Sequence, residues 1–273
     1  MDWNFHCLYT IIEKEIEMDL ETFFAENKKC ALAFSGGTDS VYLLYAAKSY
    51  GCDIKAYYMQ SPFQPAFEFE DAKRIVKQLD IDLTVISYNI LENEQVRNNS
   101  INRCYFCKRT IFEKIIMQAK ADGYSVILDG TNASDNVNDR PGMKVLIELH
   151  VLSPLKICGI TKTDVRRLSK EAGLFTYKKP SYACLATRIP SGHEITEADL
   201  LKIEKSEGIL SEMGFQNFRI RMYRYEDGVA SLETEKSQWK YAYNNMDKIE
   251  KSLSQWFDKV ILENTYRDTE IIL

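Results

Sequence analysis

The chain has 273 residues, 45% of them hydrophobic, which is enough for one large folded unit plus a smaller one and excludes a disordered chain. Its 40 acidic against 35 basic residues give a formal net charge of −5. That balance lacks the basic excess of a nucleic-acid binder and argues against RNA or DNA as a partner.

The N-terminal stretch carries acidic residues through its apolar pattern, unlike a signal peptide with a basic n-region and an apolar h-region. No segment approaches the ~18 uncharged apolar residues of a membrane span. The expectation is a cytoplasmic protein whose seven cysteines, an odd number, serve as thiols, metal ligands or catalysts rather than disulfides. In chain order, Leu8, Ile11, Ile12, Ile16, Leu20, Phe23 and Phe24 predict an amphipathic helix over residues 8–24. Strands are predicted at 30–34, 54–59, 83–88 and 126–128, with helices at 41–47, 67–79, 106–120 and 163–172 between and after them; Thr161 is placed to cap the last helix. This alternation predicts an α/β fold, a Rossmann-like parallel sheet covered by helices. Two prolines and few helix signals over residues 178–192 mark a boundary, giving domains at 1–188 and 189–273. The second is read as a smaller α+β unit with a helix from about 196, strands at 218–223 and 229–233, a helix over 238–257 and a strand at 260–262.

Residues 34–40 read FSGGTDS and follow a buried strand. Gly36 and Gly37 allow a tight turn that aims backbone N–H groups and a helix N-terminus at an anion, and Ser35, Thr38 and Ser40 add hydroxyl donors. Ser-Gly-Gly is also ordinary turn chemistry. Asp39, however, makes sense beside a phosphate when Mg²⁺ lies between them. A Walker A loop would carry a lysine here, and this loop has none. Asp129, Gly130, Thr131 and Asn132 follow the fourth strand, so both stretches fall at strand carboxyl ends, where ligands sit in such sheets.

FSGGTDS resembles the SGGxDS loop of the PP-loop ATP pyrophosphatases, which implies that residues 35–40 hold the pyrophosphate end of ATP and promote attack on the α phosphorus. RCYFCKRTIF at 103–112, DGTNASDNVNDRPGMK at 129–144 and KKPSYACLATRIPSG at 178–192 together resemble the LarE-type ATP-dependent sulfur transferases. FRIRMY at 218–223 and DGVASLE at 227–233 extend the likeness through the second unit, so that it covers nearly the whole chain from Lys29 onward. The resemblance implies adenylation of a small-molecule carboxylate nucleotide and its conversion to a thiocarboxylate, as in building a nickel-pincer cofactor. Homo-oligomeric assembly and an external sulfide source are expected with it.

Taken alone, the C-x-x-C pair Cys104 and Cys107 suits a redox pair, half of a zinc site or an iron–sulfur site. Arg103, Lys108 and Arg109 beside it would favour thiolates. The resemblance adds Cys184, in ACLATR, as the essential cysteine. It implies one of two sulfur routes: a [4Fe–4S] cluster held by Cys104, Cys107 and Cys184, which is the expectation here, or a sacrificial Cys184. The cysteines at positions 7, 30, 52 and 158 are read as small buried thiols. His6, His150 and His193 form no metal spacing.

Arg219 and Arg221 alternate on a predicted strand, so both project from one face and suit a phosphate as well as a solvated charged face. The resemblance implies the phosphate, with Arg188 and Glu207 nearby. The site expected is thus ATP and Mg²⁺ on residues 35–40 and 129–132, sulfur chemistry at Cys184, and the acceptor phosphate on Arg219, Arg221, Arg188 and Glu207. The rivals are a tRNA thiolase, which needs a basic groove, and a nucleotide-binding module with structural zinc on the C-x-x-C pair.

Overall fold

The computed structural model describes residues 18–135 and 142–267. Most of the helix predicted over 8–24, together with His6 and Cys7 and residues 136–141 of the DGTN stretch, lies outside the described residues. The described remainder is helix α1, Leu20–Glu26, whose first turn is closed by Asp19 accepting from Thr22 N at 2.8 Å.

The alternating segment follows as β1 (Lys29–Ala33), α2 (Thr38–Ser49), β2 (Asp53–Gln60), α3 (Ala66–Leu79) and β3 (Leu83–Ser87). A short helix α4 (Glu94–Arg97) and the long α5 (Arg103–Ala121) lead to β4 (Val126–Leu128). The four strands form one parallel sheet in the order β3-β2-β1-β4. The chain winds from β1 to β2 and β3 on one side, then returns to place β4 on the other. The carboxyl ends of β1 and β4 therefore flank the point where strand order reverses, which is where open sheets of this kind leave a crevice.

Three further helices, α6 (Met143–Glu148), α7 (Pro154–Ile157) and α8 (Lys162–Glu171), complete this unit. Thr161 and Asp164 build a reciprocal capping box at the start of α8. Beyond residue 188 come α9 (Glu197–Glu212), β5 (Arg219–Met222), β6 (Val229–Glu233), α10 (Lys236–Asn244), α11 (Met246–Leu253) and β7 (Lys259–Leu262). In this second sheet β5 pairs antiparallel with β6, and β6 parallel with β7. The single helix predicted over 238–257 is two: Asn245 leaves helical geometry at φ −117°, ψ 15°, and its N–H returns to Ala242 O at 3.0 Å.

Two large cores hold the units together. Leu32, Val41, Leu43 and Leu44 centre the first, and Leu200, Ile203, Ile220 and Leu232 the second. The second core also takes Phe63, Ile90, Val96 and Leu185 from the N-terminal side of residue 188, so the units share buried surface. Among the described residues, no helix is long and apolar enough to cross a membrane.

Candidate active site

The loop of residues 34–40 is shaped by its glycines. Gly36 sits at φ +73°, and a Cβ there would meet the Ala72 Cβ of α3 at 3.2 Å. Gly37 is the N-cap residue of α2, so the first-turn N–H groups of a twelve-residue helix open at the crevice. Ser35 Oγ and Ser40 Oγ lie 3.1 Å apart, and Thr38 Oγ1 donates to Thr176 O at 2.9 Å. Across the crevice a Cβ on Gly130 would fall 2.9 Å from Ser40 N and 3.1 Å from Ser40 Cα. Only a glycine lets the end of β4 lie this close to the loop backbone.

Asp39 is partnered. Its Oδ2 lies 2.6 Å from Lys162 Nζ, and its Oδ1 accepts from Asn132 Nδ2 at 3.2 Å. Lys162 was not expected from sequence: it arrives from the first turn of α8, 123 residues along the chain, and nothing local marks it. It supplies a cation beside a loop that lacks its own. Asp39 fits Mg²⁺, since magnesium binds through one or two carboxylates and substrate phosphates, and Lys162 shows that a cation is accepted at this carboxylate. Asp129 is engaged otherwise: its carboxylate accepts from Thr131 Oγ1 at 2.5 Å and Ser153 Oγ at 2.6 Å, with Lys108 Nζ 3.8 Å away. It orders the strand end rather than facing a ligand freely.

Two cavities open on the loop. One, of about 310 Å³, has an apolar wall of Met59, Ile111, Phe112 and Ile115 facing Ser35, Ser40 and Gly130. A flat base and ribose against the wall, with phosphates on the loop, match this division of polarity. The other, of about 210 Å³, lies between the loop and Glu68, Lys162, Lys179, Ser181 and Tyr182. Burial pushes the Glu68 carboxyl up to about 7, against the opposing pull of the Lys179 ammonium.

The three cysteines converge. Cys104 and Cys107 sit in the first turns of α5, and Arg103 Nη2 lies 3.6 Å from Cys104 Sγ while Nη1 lies 3.8 Å from Cys184 Sγ. Burial pushes the Cys107 thiol up to about 12, with the sulfurs of Cys184 and Cys104 adding to the shift and Arg103 opposing it. Of the three basic residues expected to favour thiolates, Arg103 lies against sulfur. Lys108 faces Asp129, and Arg109 is held by Glu113 and Glu148. Three thiols near one guanidinium match a thiolate-held cluster in donor kind and number, though not in arrangement. Among the described residues, no three His, Cys, Asp or Glu side chains are arranged to hold a metal ion.

The residues expected at the acceptor phosphate are drawn to each other and to backbone. Arg188 is fully buried and grips Glu207 twice, Nε to Oε1 at 2.9 Å and Nη2 to Oε2 at 3.2 Å. Glu207 also accepts from Tyr182 Oη at 2.5 Å and Ile220 N at 3.3 Å. Arg219 donates to Phe218 O at 2.7 Å and Ser181 O at 2.8 Å, and burial lowers its guanidinium to about 10. Arg221 pairs with Glu233 at 2.8 Å and donates to Thr187 O. Arg219 and Glu207 also border a cavity of about 580 Å³ lined in part by Phe67, Tyr182 and Phe218.

Residues 24–212 match the family described as thiamine biosynthesis protein (ThiI). The chain is 33% identical over 224 residues to an uncharacterized protein of Synechocystis sp., covering 82% of each chain. It is 30% identical over 237 residues to an uncharacterized protein of Methanocaldococcus jannaschii, covering 87% of this chain and 90% of that one. Over 208 residues it is 27% identical to the pyridinium-3,5-bisthiocarboxylic acid mononucleotide synthase of Lactiplantibacillus plantarum, covering 76% of this chain and 74% of the synthase. A phosphate loop at the strand-order reversal, thiols on the helix beside it and this kinship agree: the chain belongs to the thiamine biosynthesis protein (ThiI) family and is a LarE-type, ATP-dependent sulfur transferase of the PP-loop superfamily.

Proposed function

We propose that the protein adenylates a carboxylate of a small nucleotide acceptor and replaces one of its oxygens by sulfur, the acceptor being of the pyridinium dicarboxylate mononucleotide class. The carrying observation is that α5 bears Cys104 and Cys107 in its first turns and Ile111, Phe112 and Ile115 in the wall of the nucleotide cavity. In the first step an acceptor carboxylate oxygen bonds to the α phosphorus, and the bond to pyrophosphate breaks with its electron pair leaving on pyrophosphate. Loop N–H groups and Lys162 offset that charge; Mg²⁺ on Asp39 would neutralise it further. In the second, sulfide attacks the acyl carbon and AMP leaves with the former carboxylate oxygen. The proton of hydrosulfide passes to solvent. This reading includes a cytoplasmic, homo-oligomeric enzyme fed by an external sulfide source.

Cys104, Cys107 and Cys184 would hold a [4Fe–4S] cluster, which supplies, when bound, an iron without a protein ligand at which sulfide can be presented. A second reading is favoured by the thiol pattern: burial raises the Cys107 thiol, while Arg103 donates to the sulfurs of Cys184 and Cys104. Here Cys184 Sγ attacks the acyl adenylate and releases AMP. Loss of the Cα proton to a base then breaks the Cβ–Sγ bond, leaving dehydroalanine and the thiocarboxylate. Anaerobic reconstitution with iron and sulfide, followed by turnover counting on pyridinium-3,5-dicarboxylic acid mononucleotide and intact mass measurement, separates the two. The cluster reading expects Ala at any of the three positions to abolish both iron retention and multiple turnover. A sacrificial Cys184 expects Cys104→Ala and Cys107→Ala to keep one turnover, the spent chain being lighter by one H₂S.

A further inference from the structure

Residues 181–188 carry Cys184 but lack regular secondary structure except for a single 3₁₀ turn, Leu185–Arg188. Such a segment leaves backbone carbonyls without ladder partners, and buried carbonyls need donors. Four of them receive guanidinium N–H groups. Arg219 donates to Ser181 O at 2.8 Å, and Arg188 to Ala183 O at 2.6 Å and Cys184 O at 3.1 Å, while Arg221 donates to Thr187 O. Each guanidinium is itself positioned, Arg188 by Glu207 and Arg221 by Glu233, and Arg188 and Arg219 stack on the ring of Tyr182 at 4.6 and 4.9 Å. The planar fork of arginine suits this role, because one side chain can reach two acceptors at fixed geometry.

We infer that Arg219 and Arg221, with Arg188, are positioning residues: they clamp the carbonyl groups of the Cys184 loop and so fix where the sulfur stands against Arg103. This rests on the reading of Cys184 as the sulfur-handling residue. It is distinct from the phosphate-binding role expected of the pair, and the test below separates the two. The clamp also ties the second sheet to the sulfur loop, β5 supplying two of its three arms.

The test is the rate of alkylation of each cysteine by iodoacetamide, followed by peptide mass mapping, in the full chain and in Arg219→Gln, Arg221→Gln and Arg221→Lys. Losing one charge-assisted hydrogen bond should free the loop and change the Cys184 rate by about tenfold in the Gln variants. Arg221→Lys, which keeps one donor for Thr187 O, should recover part of the parent rate. Buried Cys30 and Cys52 are the internal control, since general loosening of the fold would raise their rates too. Cys184 rates within about twofold of the parent in both Gln variants would overturn the clamp. So would a parallel rise at Cys30 and Cys52, or protection of Cys184 by inorganic phosphate that both Gln variants abolish without altering the phosphate-free rate. The alkylation readout does not depend on turnover. If Cys184→Ala retained multiple turnover, the functional reading would fall while the clamp stood.

Discussion

Lys162 Nζ lies 2.6 Å from Asp39 Oδ2, so a cation absent from the 35–40 loop itself is delivered to it from the start of α8. Replacing Lys162 by Met should slow ATP-dependent pyrophosphate release by about a hundredfold, the scale of one lost charge-stabilising donor. Helicity should be unchanged, because the capping box of α8 is made by Thr161 and Asp164. Pyrophosphate release at the parent rate would remove Lys162 from the site.

Asp39→Asn keeps the acceptor of the Asn132 contact but removes the charge that faces Lys162 and would hold Mg²⁺. The expected outcome is loss of Mg²⁺-dependent pyrophosphate release, with circular dichroism and thermal unfolding close to the parent.

Gly130→Ala tests the contact between the two strand ends. Its Cβ would stand 2.9 Å from Ser40 N, a backbone atom that cannot rotate away. The loop must shift, and ATP affinity measured by calorimetry should fall by about tenfold or more, since misplaced donors lose their alignment with the phosphates. A neighbouring change without such a contact, Gly159→Ala, tests strain at φ +67° alone and should leave ATP affinity near the parent.

The pair Arg188–Glu207 predicts a large stability effect. Glu207→Gln retains shape and the contact with Tyr182 but leaves the fully buried Arg188 guanidinium without its counter-charge. Urea unfolding should show a loss of about 3 kcal/mol. Adding Arg188→Met to that variant should restore part of it, because the uncompensated charge is gone.

Glu68 gives the pH dependence. Burial raises its carboxyl from 4.5 to about 7 in the folded chain. The folded state therefore holds this proton more tightly than the unfolded one, so the contribution is fully present below pH 4.5 and is lost as pH rises through 7. Glu68→Gln should flatten that part of the curve of urea midpoint against pH. An unchanged slope between pH 4.5 and 7 would show that the carboxyl titrates normally.

The β1–β4 sheet was legible because its strands are short apolar runs alternating with helix-length segments, and each strand lies within two residues of its expected place. Helices α6 and α7 were not, being six and four residues long with too few turns to show a period. The helix break at Asn245 was hidden because apolar spacing continues across it. In the site, residues 35–40 announced themselves by local chemistry. Lys162 did not, since it meets Asp39 across 123 residues of chain, and Asn132 was expected at the site without its contact to Asp39. The convergence of Cys184 on the C-x-x-C pair was carried by resemblance rather than by any spacing. The arginines at 188, 219 and 221 were recognised as a group, but sequence could not show their carbonyl partners.

Helix α5 also acts as a ruler. Cys107, Ile111 and Ile115 follow one another at four-residue intervals on one face, so the sulfur centre begins about 6 Å along the axis from the first of these nucleotide-wall residues. A hydrogen-bonded rod of nineteen residues cannot change that interval without breaking. On the proposed function, activation at phosphorus and substitution at carbon would thus be held at a set separation. On that reading an activated acceptor has about one helical turn to cross between the two steps.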